Sequence, residues 1–152
     1  MKNKNIFILI GIIVLITIII FLNFNLKSKI NLSEQYYQYG TIKDITKEEL
    51  LTKINNKENF ILFTNNNFCT FKISCEEIFK ESVQELNITI LKIPFDEFKT
   101  TKLHDTIKFA PSVIIIKEGK IIKYLDPEKN EDLSKYQDKK EFTSWIKEYI
   151  NI

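Results

Sequence analysis

Apolar residues fall into three patterns along this chain. From Ile6 to Leu22 they are almost unbroken, and no charge interrupts the stretch from Ile6 to Leu26. Further on they form short continuous runs, Phe60-Ile-Leu-Phe and Ser112-Val-Ile-Ile-Ile, bounded by Asn, Pro or Gly. Elsewhere they recur three and four residues apart. The first pattern is long enough for a helix to cross a bilayer, which takes about 20 residues. The second predicts strands buried on both faces, and the third amphipathic helices.

Read in order, Thr41 to Ile45 alternates as a short edge strand. Thr46 with Glu49 forms a capping box that opens a helix from about Lys47 to Lys57, with Leu50, Leu51 and Ile54 on its apolar face. Phe60-Ile-Leu-Phe is the next strand, stopped by Asn65-Asn-Asn. A helix follows to Leu86 with Ile78, Phe79, Val83 and Leu86 inward, and Asn87 ends it. Its start has two readings. If it begins near Cys69, that residue and Cys75 lie on different faces. If Ser74 is the N-cap, with Glu77 completing a second capping box, Cys75 is the first helical residue and Cys69 sits in the loop before it. The local signal leans to the second. Ile88 to Pro94 is a strand parallel to the previous one, because strand, helix and strand in succession form a right-handed βαβ unit.

Phe95 to Phe109 has weak helical spacing at Phe98, Leu103 and Ile107. It holds the single histidine, His104, which such a polar context makes a solvated residue. Ser112–Lys117 and Lys120–Tyr124 flank Glu118-Gly119 as a hairpin. Pro111 opens that hairpin at a position compatible with a cis bond. Asp126 to Lys139 is polar, and a final helix over about Lys140–Ile150 turns Phe142, Trp145, Ile146 and Tyr149 toward a core.

The 152 residues with a net charge of +2 leave room for one domain plus an accessory segment. Mixed charge without a basic cluster argues against nucleic acid. Two cysteines and one histidine make a poor metal site, and no cofactor motif occurs. The predicted organisation is a transmembrane signal anchor over 1–26, a tyrosine-rich linker over 27–40 and a domain over 41–152. The apolar run is too long for a cleaved signal and lacks a small-residue cleavage site. Lys2 and Lys4 before it nearly balance Lys27 and Lys29 after it, and the free amine tips the N-terminus inward. That puts the domain outside the cytoplasm, on a cell membrane. Tyr36, Tyr37 and Tyr39 fit either the headgroup level or the domain surface.

The element order, Phe68-Cys69 after a buried strand, and Phe109-Ala-Pro-Ser-Val-Ile-Ile-Ile-Lys-Glu-Gly-Lys together resemble the thioredoxin family over about Thr41–Ile152. The resemblance implies an α/β, three-layer fold with a central mixed sheet between helices. It places Cys69 at the family's nucleophile and Pro111 at its cis-proline, with Phe68, Ala110 and Pro111 against substrate. The membrane-anchored form resembles extracytoplasmic thioredoxin-like and bacteriocin-accessory-like proteins of bacteria. Departures are plain. The family's second cysteine falls at Lys72, whereas the next cysteine is Cys75, giving Cys-x5-Cys. The family's buried acid falls at Phe63, and the Gly-Pro between the cysteines is missing. Two functions follow as expectations. One is thiol–disulfide exchange on protein thiols or disulfides, with Cys69 attacking and Cys75 resolving. The other is a non-catalytic binding or accessory module, in which the two cysteines form a structural disulfide.

Overall fold

A computed structural model describes residues 29–66 and 74–152. The predicted span over Ile6–Leu26, with Phe68 and Cys69, lies outside the described residues. Among the described residues no helix is long and apolar enough to cross a membrane.

The elements follow as β1 (Thr41–Asp44), α1 (Lys47–Asn55), β2 (Phe60–Asn65), α2 (Cys75–Leu86), β3 (Thr89–Pro94), the single turn α3 (Phe95–Phe98), β4 (Ser112–Lys117), β5 (Lys120–Leu125), α4 (Asn130–Gln137) and α5 (Lys139–Tyr149). They build a mixed five-stranded sheet in the order β1-β3-β2-β4-β5. β2 is parallel to β3, Ile61 facing Ile90, and antiparallel to β4, Thr64 facing Ser112. β3 is also parallel to β1. Phe60 to Phe63 are fully buried, as a strand covered on both faces requires.

Local chemistry accounts for most boundaries. Thr46 and Glu49 form both halves of the capping box at α1. Leu50 and Ile54, four apart, share its inward face. Leu51 lies about 100° round the helix from Leu50 and is exposed, contrary to the expected face. Asn87 ends α2 in the left-handed conformation, φ 55°. The β4–β5 turn places Glu118 and Gly119 at φ 51° and 75°, as a two-residue hairpin demands. A side chain at Gly119 would also start 2.7 Å from the Ile54 carbonyl oxygen, so this turn is pressed onto the end of α1.

The segment before β1 lies on the domain. Ile30 bridges Ile150 and takes a hydrogen bond from Asn151. Leu32 and Tyr36 are buried, and the Tyr37 hydroxyl donates to the Asn151 carbonyl. Tyr36 and Tyr37 therefore pack on the domain, while Tyr39 points outward. The Tyr36 hydroxyl donates to Glu58. Burial first, and then that carboxylate, push the phenol pKa above its usual value.

Two expectations need correction. The polar stretch after Asp126 contains α4, whose buried residues are Asp132 and Tyr136, so no apolar stripe marks it. The final helix starts at Lys139, because Asp138 caps it through the N–H groups of Lys140 and Glu141.

Helices α2, α4 and α5 pack together on the sheet around Phe79. That ring lies 5.2 Å from Phe63, 5.9 Å from Tyr136 and 4.2 Å from Phe142. Phe79→Ala should cost about 3–5 kcal/mol, the range for emptying a buried aromatic site. Urea denaturation would show it as a lowered midpoint at unchanged slope; a loss below about 1 kcal/mol would mean the ring is not a keystone of this core.

Candidate functional site

The candidate site lies at one end of the sheet, where β2 and β3 finish at Asn65 and Pro94 and β4 begins at Ser112. α2 starts at the same end, and Asn66 extends β2 toward it.

The loop before β4 is held by its carbonyl oxygens. Ala110–Pro111 is a cis peptide. The Phe109 carbonyl accepts the Ser112 hydroxyl at 2.7 Å, the Ala110 carbonyl accepts Asn66 Nδ2 at 2.7 Å, and the Pro111 carbonyl accepts the Tyr136 hydroxyl at 2.9 Å. Three consecutive acceptors are thus met by donors from β4, the end of β2 and α4. Thr64 adds a fourth tie, since its hydroxyl oxygen accepts the Ser112 N–H at 3.1 Å. The loop leaves Phe109 half exposed and Ala110 and Pro111 half buried. Asn66 Oδ1 is buried with no hydrogen-bond partner among the described residues.

Cys75 is the first residue of α2 and is buried. The second of the two helix starts is therefore the observed one. Its capping box is not formed, because the Ser74 side chain makes no cap hydrogen bond; the Ser74 carbonyl accepts the Glu77 N–H instead. The dipole of α2 makes its start electropositive, which favours an anion there. Tyr136 ties the two halves of the site. Its hydroxyl reaches Pro111, and its helix, α4, packs against α2, which Cys75 begins. Burial first, then Asp132, then Cys75 raise its pKa, so the phenol keeps its proton and remains a donor.

Phe63 occupies the strand position where the resemblance drawn from the sequence implies a buried acid. It is fully buried and meets Phe79 edge to face. Its cross-strand neighbour on β3 is Lys92. The Lys92 ammonium is held by Glu76 at 2.7 Å and Asp44 at 3.2 Å. Burial acts to lower its pKa, but the two carboxylates outweigh it and the net shift is upward. Lys92 and Asp44 line part of a cavity of about 450 Å³ with Asn65, Asn66, Pro94, Phe95 and Asp96.

Of the residues singled out from sequence, Cys75, Ala110 and Pro111 are brought to this one end, while Phe68 and Cys69 fall outside the described residues. His104 stands apart from them. It is half buried rather than solvated, with Nδ1 2.9 Å from the Ile107 carbonyl oxygen and its ring edge on Phe95. Among the described residues no cluster of His, Cys, Asp or Glu could hold a metal ion. Sequence reasoning missed Asn66, Tyr136 and Lys92. Only the Asn run after β2 hints at any of them, and such a run reads as a turn.

No family model and no curated protein matches this sequence. Several solved structures do match the fold. A mutant thioredoxin from Halobacterium salinarum NRC-1 superposes with a TM-score of 0.51 at 12% identity, over 74% of this chain and 94% of that one. Thioredoxin O2 from Arabidopsis thaliana in the oxidised state gives 0.49 at 12% identity, over 72% and 95%. The long form of thioredoxin f from spinach chloroplast gives 0.48 at 17%, over 76% and 99%. The first of these, with the strand order above, establishes a thioredoxin-like fold: a central mixed sheet flanked by helices.

Tyr136→Phe removes the donor from a buried carbonyl and should cost about 1–3 kcal/mol. Thermal unfolding checks it, and an unchanged midpoint would show that the Pro111 carbonyl finds another partner. Lys92→Met should cost about 1–2 kcal/mol at neutral pH, between the values for exposed and buried ion pairs. Because the folded-state pKa of Lys92 is raised, its stabilisation is complete below the ordinary lysine value of about 10.4 and disappears as pH rises through the folded value. The gap between wild type and variant should be constant from neutral pH to about 10 and close above it. A gap that closes on acidification through the lysine-charged range below about pH 9, before the carboxylates titrate, would contradict this account.

Proposed function

We propose that this chain is a membrane-anchored thioredoxin-like protein that carries out thiol–disulfide exchange on extracytoplasmic proteins. The observation that carries the reading is the meeting of Cys75, Tyr136 and the cis-Pro111 loop at one end of the sheet. In the sequence Cys69 lies between Asn66 and Ser74, and those two described residues stand at that end.

In this reading the Cys69 thiolate attacks one sulfur of a substrate disulfide. A mixed disulfide forms, and the other substrate sulfur leaves as a thiolate and takes up a proton. The Cys75 thiolate then attacks Cys69 Sγ of the mixed disulfide. The second substrate thiol is released and a Cys69–Cys75 disulfide remains. Two electrons have passed from the chain to the substrate, and the reverse sequence oxidises a dithiol. A buried Cys75 suits the resolving step, because an intramolecular partner reaches it and solvent does not. Phe68, Ala110 and Pro111 would contact the substrate backbone, with half-exposed Phe109 offering an apolar surface beside them. The span over Ile6–Leu26 would anchor the chain in the cell membrane, N-terminus inside.

A specific observation favours the second reading, a binding or accessory module of the bacteriocin-accessory-like kind with a structural Cys69–Cys75 disulfide. The carbonyls of Phe109, Ala110 and Pro111 already have donors, so a peptide docking there finds those acceptors engaged. Phe63 also supplies no proton acceptor at the strand position where the thioredoxin resemblance implies a buried acid.

A disulfide-reductase assay on the full chain separates the two. Exchange predicts that Cys69→Ser abolishes turnover, and that Cys75→Ser abolishes turnover while accumulating a mixed disulfide that non-reducing electrophoresis resolves. A wild-type chain that turns over no faster than Cys69→Ser would leave the accessory reading standing.

A further inference from the structure

The two ends of the sheet differ, and the chain's own tether marks one of them. β2 is flanked by Asn59 at one pole and Asn66 at the other. At the first pole Asn59 Nδ2 donates to the Asn31 carbonyl, the Asn59 carbonyl accepts the Ser33 N–H, and Asn59 Oδ1 accepts the Glu118 N–H. The tether, the start of β2 and the β4–β5 turn are therefore locked together. Ile30 is fixed there as well, by Tyr149 and Asn151. The candidate site occupies the opposite pole, one strand length away, roughly 17–20 Å.

Only Lys27 and Ser28 stand between the uncharged stretch that ends at Leu26 and the first described residue, Lys29. Leu26 to Lys29 spans at most about 11 Å of extended chain. If Ile6–Leu26 spans the bilayer, the domain has almost no slack. Its tether pole must face the headgroups. The side chains at this pole fit such a surface. Lys29, Lys57 and Lys120 are exposed and Lys117 is half buried, and no carboxylate among the described residues lies within ion-pair distance of any of the four. Ile152 is more than half exposed beside them. Glu34, Glu118 and Glu148 are exposed acids of this pole, and Glu85, also exposed there, is paired with Lys139 and Lys147. At the site pole the acids are paired: Asp44 and Glu76 hold Lys92, and Asp96 holds Lys99.

We infer that the pole formed by Lys29, Lys57, Lys117 and Lys120 is a docking surface for an anionic lipid bilayer, which holds the Cys75–Pro111 pole pointing away from the membrane. Contact with an anionic leaflet gathers these lysines, and the short tether sets the direction. The site would then meet substrates from the aqueous side and not from the bilayer surface.

The inference rests on the anchor reading, so the test separates the two. The full chain is reconstituted into vesicles of phosphatidylcholine with phosphatidylglycerol and floated through alkaline carbonate. The vesicles are then treated with a membrane-impermeant acetylating ester, before and after dissolution in neutral detergent, and each lysine is quantified by mass spectrometry. Lys57, Lys117 and Lys120 should label about fivefold more slowly in vesicles, the factor matching the free energy of one lysine near an anionic leaflet. Lys99 and Lys108, at the site pole, should label at the same rate in both. A chain that does not float removes the anchor and with it this inference. A chain that floats with Lys117 and Lys120 unprotected, or with Lys99 and Lys108 protected instead, keeps the anchor and overturns the docking surface.

Discussion

A strand with no exposed face has to be covered above and below and paired on both edges, and β2 imposes that demand on the whole domain. Phe60, Ile61, Leu62 and Phe63 are all fully buried. β3 and β4 satisfy its two edges, one parallel and one antiparallel. The parallel partner requires a crossover, which is the reason α2 exists where it does and lays Phe79 on Phe63. The antiparallel partner brings Ser112, and so Pro111, next to the point where β2 ends. The ends of this one strand organise the poles as well. Asn59 gathers the tether and the hairpin at one end, while Thr64 and Asn66 secure the cis-proline loop at the other.

The site is an arrangement of saturated backbone acceptors around a buried thiol. An unmet carbonyl in this environment would cost free energy, so each of the three carbonyls from Phe109 to Pro111 has drawn a side chain to itself. The result is a loop that three separate elements position. The same arrangement limits what the loop can offer a ligand, and it bears directly on whether the fold serves exchange or binding. Phe63 sharpens the contrast. An apolar ring fills the interior beside the site, and the charges have moved to the cavity rim, where Lys92 joins Glu76 to Asp44.

The fold is largely legible because its signals are short in sequence. Thr46 with Glu49, Asn87 after an apolar stripe, and Glu118-Gly119 between two apolar runs each act within a few residues, and each does in the structure what its spacing predicts. Other signals fail at the same scale. Ser74 and Glu77 have the spacing of a capping box and do not form one, since the helix start satisfies itself through the backbone. Leu51 matches the apolar composition of α1 but lies on its outer side. α4 leaves no apolar trace because its buried positions are an aspartate and a tyrosine, and Asp132 is accommodated only by accepting the Asp126 N–H and the Lys135 ammonium.

By itself the sequence determined every strand and every helix with an apolar face, the parallel β2–β3 unit, the hairpin, the place of Pro111 and the start of α2 at Cys75 by the favoured of two readings. These follow from propensity, periodicity and turn chemistry, which neighbours along the chain decide. The tertiary structure alone decided that Asn66 holds Ala110 across 44 residues and Tyr136 holds Pro111 across 25. It also decided that Lys92 gathers two acids, and that residues 30–37 pack on the domain. A polar side chain in a polar stretch carries no mark of its distant partner. The partner is chosen when the backbone brings an unmet donor or acceptor within reach, and only the folded chain does that.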